Sequence, residues 1–78
     1  MFSTRLKEMR KLRGYTAQYM ATQLHTGIRN YRKYESNDAK PTLDGLILLA
    51  DILDVSIDYL LGRDNFLRAH GINLEENA

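Results

Sequence analysis

The chain is 78 residues long and has no cysteine, so it is one small domain that must fold without disulfides or thiolate metal sites. Its apolar runs fall well short of the ~18 residues of a membrane span, and Met1-Phe2-Ser3-Thr4-Arg5 does not begin a signal peptide. The net charge of +1 hides a polarity: residues 1–40 hold nine Lys or Arg against three acids, and residues 41–78 hold two against seven, so one half is suited to a polyanion and the other is not.

Every periodic segment is helical, and none alternates with period two over a β-branched run, so an all-α fold is expected. Leu6, Met9 and Leu12 recur at three-residue spacing and predict a first helix over about 3–13 with those side chains inward, stopped by Gly14. Thr16 is a good N-cap for a second helix, 16–24, with Met20, Ala21 and Leu24 inward. A third, 28–35, turns Tyr31 and Tyr34 inward and closes at Ser36-Asn37-Asp38, where Asn37 can take a left-handed conformation. Pro41-Thr42 opens a fourth, 42–53, with Asp44 in the first turn, where the helix dipole favours an acid. Ser56 caps a fifth, 56–61, which Gly62 ends. A domain over 1–62 is therefore expected, followed by a tail, 63–78, with scattered Phe66, Leu67, Ile72 and Leu74 and one short helical candidate before Gly71.

Thr16 to Glu35 is the most informative stretch. Two short amphipathic helices flank Leu24-His25-Thr26-Gly27, and so short a turn brings them to a close crossing, for which Ala21 supplies the small side chain. On a helical wheel of 28–35, Tyr31 and Tyr34 mark one side, while Ile28, Arg29, Arg32 and Lys33 share the other. Arg and Lys pair with guanine O6 and N7 in the major groove, and Ile meets a thymine methyl, so these four are the candidate base contacts. Basic residues on a short helix are often only a solvated face. Here the turn, the small crossing residue and the basic half of the chain favour a reader of DNA. Gly27 lets a phosphate approach the backbone amides at the helix start, and with Gln18, Tyr19 and Lys40 it makes up the candidate phosphate contacts. Asn30 falls toward the inward side and is expected to be structural. Arg10 lies beside the inward stripe of the first helix, where a charge needs a partner, and Glu35 at the inner edge of the third helix is the natural one.

The remaining chemistry-bearing residues form no catalytic or metal pattern. His25 and His70 have no metal-ligand spacing, and there is no glycine-rich phosphate loop, nucleophile elbow or carboxylate pair. Neither an enzyme nor a cofactor is expected. The fourth helix has more apolar residues than one face needs, so Leu48, Ile52, Ile57, Tyr59 and Phe66 are candidate contacts of a homodimer.

These features resemble the helix-turn-helix Xre family of phage Cro proteins and repressors. The resemblance runs from Arg5 to Gly62. It rests on Arg5-Leu6-Lys7 with Arg10, Gly14-Tyr15-Thr16, Met20-Ala21-x-x-Leu24, Tyr31-x-x-Tyr34-Glu35, Pro41-Thr42-Leu43, and Leu49-Ala50-x-x-Leu53-x-Val55-Ser56-x-Asp58-x-Leu60-Leu61-Gly62. It implies a compact five-helix domain, cytoplasmic and bacterial or phage-encoded, that binds double-stranded operator DNA as a dimer with the third helix in the major groove. A repressor of phage or mobile-element type is the expected role, and the Arg10–Glu35 pair is implied as well. The chain departs from the family at Ala17, where a phosphate-touching Gln is usual and Gln18 stands beside it. It departs again at His25 and Asn37, where glycine is usual; both residues tolerate positive φ comparatively well. Lys40 is the single base before Pro41. The alternative is an antitoxin-like interaction module in which the fourth helix and the tail hold a protein partner and DNA binding is secondary.

Overall fold

The computed structural model describes residues 1–62, so the expectations for the tail, Phe66 and His70 included, lie outside the described residues. Five helices follow one another: α1 (Phe2–Leu12), α2 (Ala17–Gln23), α3 (Ile28–Glu35), α4 (Leu43–Leu53) and α5 (Ile57–Leu61). There is no strand among the described residues, and the fold is all-α as the patterning predicts. No helix among them is long and apolar enough to cross a membrane.

The helix starts are set by local chemistry. The side chains of Thr16, Thr42 and Ser56 accept hydrogen bonds from the backbone N–H groups of Tyr19, Gly45 and Tyr59. Each satisfies one of the amides that a helix start leaves without a partner, and each is worth about 1 kcal/mol against alanine. Two turns use left-handed backbone at non-glycine residues, His25 at φ 55° and Asn37 at φ 66°. A third non-glycine residue, Asp54, ends α4 at φ 55°. Its turn is supported from α1: Arg13 Nε donates to the Leu53 carbonyl oxygen at 2.9 Å, and Nη2 reaches that of Asp54 at 3.4 Å.

The core takes Leu6 and Met9 from α1, Met20 and Ala21 from α2, Tyr31 from α3, Leu49, Ala50 and Leu53 from α4, and Leu60 from α5. Ala21 is wholly buried, and α2 packs closely on α3. Leu12 is a correction: it is 73% exposed. Each three-residue step on an α-helix falls about 60° short of a full turn, so Leu12 has rotated off the stripe that Leu6 begins.

Candidate nucleic-acid interface

The position of α3 depends on its inner side. The Tyr31 ring is buried and meets Tyr34 edge-on, with centroids 6.3 Å apart at 80°. At the end of the helix Glu35 accepts hydrogen bonds from Arg10 Nε at 2.6 Å, from Arg10 Nη2 at 3.1 Å and from the Tyr31 hydroxyl at 2.5 Å. Arg10 Nη1 also donates to the Tyr15 carbonyl oxygen at 3.0 Å. One fork of donors thus ties α1, the loop before α2 and the end of α3 together. The Arg10 and Glu35 side chains keep only 14% and 10% of their surface in water.

This network shifts two titrations. The hydrogen bond to Glu35 holds the Arg10 guanidinium above its ordinary pKa. Burial pushes the Tyr31 phenol up, and its hydrogen bond to the Glu35 carboxylate pushes it further. In the unfolded chain Tyr31 ionises near 10.0, whereas in the folded chain it stays neutral. Above that pH the unfolded state binds fewer protons, so this contribution is full below pH 10 and is lost as pH rises beyond it. Chemical denaturation between about pH 8 and 11 should show wild-type stability falling more steeply than that of Tyr31→Phe; parallel profiles would rule the assignment out.

The outer side of α3 carries Arg29, Asn30, Arg32 and Lys33, all exposed. Arg29 and Lys33 sit at its centre and have no side-chain hydrogen bond or ion pair among the described residues. Ile28 is a correction. It is half-buried and packs on the core, because on the wheel it lies only about 60° from Tyr31. Asn30 is corrected in the other sense: it is exposed rather than inward. Its Nδ2 donates to Thr26 Oγ1 at 2.9 Å and to the Tyr34 hydroxyl at 3.0 Å, a short ladder along the surface of α3.

The candidate phosphate contacts are dispersed. Gln18 is exposed and donates to Thr22 Oγ1 at 3.3 Å. Tyr19 is exposed and leans on Tyr15, with ring centroids 4.7 Å apart. Gly27 is the N-cap of α3 with open space where a Cβ would project, which leaves its amide approachable. Lys40 borders a small apolar cleft with Phe2, Pro41, Leu46 and Leu61.

Among the described candidate dimer contacts, Leu48 alone is exposed, at 36%. Ile52, Ile57 and Tyr59 are half-buried against the core. Arg5 stacks 4.5 Å over the Tyr59 ring and donates to the Tyr59 carbonyl oxygen at 2.7 Å. The apolar side chains most open to water in this half are Leu43, Ile47 and Leu61, which the sequence reading missed. Ile47, about 160° from Leu49 and about 120° from Leu53 on the wheel, was the available signal; Leu43 lies within about 20° of Ala50 and offered none. His25 is exposed in the turn, and no group of His, Cys, Asp or Glu among the described residues could hold a metal ion.

A second feature was also missed. Lys7 borders an open cleft of about 330 Å³ with Arg10, Ala17, Arg32, Glu35 and Ser36, between α1, the start of α2 and the end of α3.

A helix-turn-helix family model matches residues 6–60, most of the chain. The chain belongs to the helix-turn-helix family. Among its helix-turn-helix relatives is the cryptic phage CTXphi transcriptional repressor RstR of Vibrio cholerae, 41% identical over 59 residues that make up 76% of this chain and 53% of RstR. The fold is also similar to that of SinR, a master regulator for biofilm formation, in a crystal structure with DNA. That match has a TM-score of 0.71 and 29% identity, over 78% of this chain and 98% of the other. A SinR–SinI complex matches with a TM-score of 0.71 and 26% identity, over 99% of this chain and 72% of the other. The chain spans about half the length of the curated relatives it matches. Those relatives are named as transcriptional regulators, a class that is not enzymatic.

Proposed function

We propose that this helix-turn-helix chain is a cytoplasmic, sequence-specific DNA-binding transcriptional regulator, a repressor of phage or mobile-element type that reads a palindromic operator as a homodimer. The observation that carries this reading is the outer side of α3. Arg29 and Lys33 stand exposed at its centre, without side-chain partners among the described residues, on a helix braced by a part-buried Arg–Glu–Tyr network. Forked and ammonium donors on a rigid helix are what guanine edges in the major groove accept. Gly27, with Gln18 and Tyr19 on α2 and Lys40 before α4, meets the phosphates that flank the groove. The likeness to RstR, named a phage repressor, and to SinR, solved with DNA, supports the same reading.

Selection of bound duplexes from a randomised pool, at low and moderate salt, tests it. The expected result is a palindrome with half-sites about one helical turn apart, bound less tightly as salt rises because phosphate neutralisation drives affinity. Salt-sensitive binding with no enriched motif would remove the sequence-specific reading. It would favour the second one, a module whose main partner is a protein, for which the SinR–SinI complex is the supporting likeness.

A further inference from the structure

The cleft between α1 and the end of α3 has a charge that the internal pairing does not use up. Three cations, Lys7, Arg10 and Arg32, border it together with one acid, Glu35. Arg10 is fully engaged, with Nε and Nη2 on Glu35 and Nη1 on the Tyr15 carbonyl. That pair is neutral as a unit. The two positive charges left over belong to Lys7 and Arg32, both exposed and neither with a side-chain hydrogen bond or ion pair among the described residues. Ala17 ends in a single methyl and leaves the mouth of the cleft open.

The position of Arg32 separates it from its neighbours on α3. On the wheel it lies about 60° from Glu35, at the margin of the outer face, while Arg29 and Lys33 occupy its centre. A side chain at that margin, bordering a cleft shared with α1, meets what runs alongside a groove and not the groove floor. The chemistry agrees. A phosphodiester offers two non-bridging oxygens, which suit a guanidinium fork from one element and an ammonium from another.

We infer that Lys7 and Arg32 form a subsite for a DNA backbone phosphate, so that Arg32 positions the protein on the duplex and does not read a base. This rests on the proposed DNA-binding function and deepens it: α3 divides into a central pair for bases and a margin for backbone. Lys7, a residue of α1, joins the interface, and the Arg10–Glu35 pair becomes the neutral floor beneath the bound phosphate.

The test uses the full chain, with Lys7→Gln, Arg32→Gln and the double variant, on the selected duplex and on a scrambled one. Both side chains are exposed, so melting temperatures should stay at the wild-type value. The double substitution should lower the slope of log affinity against log salt by about 0.9 for each protomer bound, the share of the one phosphate it leaves unneutralised, and each single substitution by part of that, on both duplexes and with the selected motif unchanged. Lys7→Arg should keep the wild-type slope. A methylphosphonate that neutralises one backbone position in each half-site should weaken the wild type and leave the double variant unaffected.

Unchanged slopes would overturn the subsite, as would a double variant still sensitive to every methylphosphonate. A changed base preference in Arg32→Gln would make Arg32 a base reader and overturn it as well. If the wild type selects no motif but the variants still lose slope, the phosphate subsite stands and the sequence-specific function falls. A wild type that binds neither duplex, and so captures an anionic protein partner if anything, overturns both.

Discussion

Arg10→Met should destabilise the domain by about 3 kcal/mol and lower its melting temperature by roughly 15 °C, while leaving its base preference in place. The magnitude follows from what is left behind. Methionine keeps the apolar stem but removes the donors at 2.6 and 3.1 Å from Glu35. The carboxylate is then held by the Tyr31 hydroxyl alone, with 10% of its side-chain surface in water. Removing one partner of a buried pair costs about 3–5 kcal/mol because the other charge stays desolvated; the small residual exposure here puts the loss at the lower end. A domain of this size has only about 4–12 kcal/mol in hand, so the loss is a large fraction. Arg10→Met with Glu35→Leu should recover much of it, since an apolar pair leaves no orphaned charge. A single variant that melts at the wild-type temperature would mean that water screens the pair.

Arg29→Ala should weaken binding to the selected operator by about 1–3 kcal/mol, roughly 5- to 150-fold, and relax the preference at a single base pair. Arg29 is exposed on α3 and has no partner among the described residues to redirect it, so its guanidinium remains available for a guanine. Arg29→Lys separates charge from geometry. An ammonium retains the attraction to the duplex but loses the two-pronged match, so overall affinity should largely hold while selectivity at that pair falls. If Arg29→Ala instead weakens every duplex equally, with the motif unchanged, Arg29 is a backbone contact and the reading of bases passes to Lys33.

The two substitutions separate support from recognition. Arg10 acts through Glu35 to fix where α3 ends and should move stability, whereas Arg29 faces outward and should move affinity and motif. A result in which both variants shift the motif would show that the support extends to the groove-facing side chains.

What could be read from the sequence alone was what a few consecutive residues decide. Thr16, Thr42 and Ser56 each capture the amide three residues on, and that bond is decided within four residues of chain. His25 and Asn37 take left-handed backbone because their own side chains tolerate it better than most. Arg10 and Glu35 were legible as a pair only because a charge beside an apolar stripe must find an opposite, and the family pattern narrowed the choice.

Tertiary structure decided everything that depends on a neighbour distant in the chain. Asp54 turns left-handed under carbonyl contacts from Arg13, 40 residues away or more. Tyr59 resembles a free aromatic surface until Arg5, 54 residues earlier, is laid over it. Leu12 and Ile28 carry the same kind of apolar side chain, yet one is in water and the other half-covered. A wheel gives the angle of a side chain, but not whether another helix comes to meet it. Lys7 makes the point for function. Nothing within α1 sets it apart from Lys11, and it becomes part of a candidate site only because the packing of α1 against α3 brings it to the cleft that Arg32 also borders.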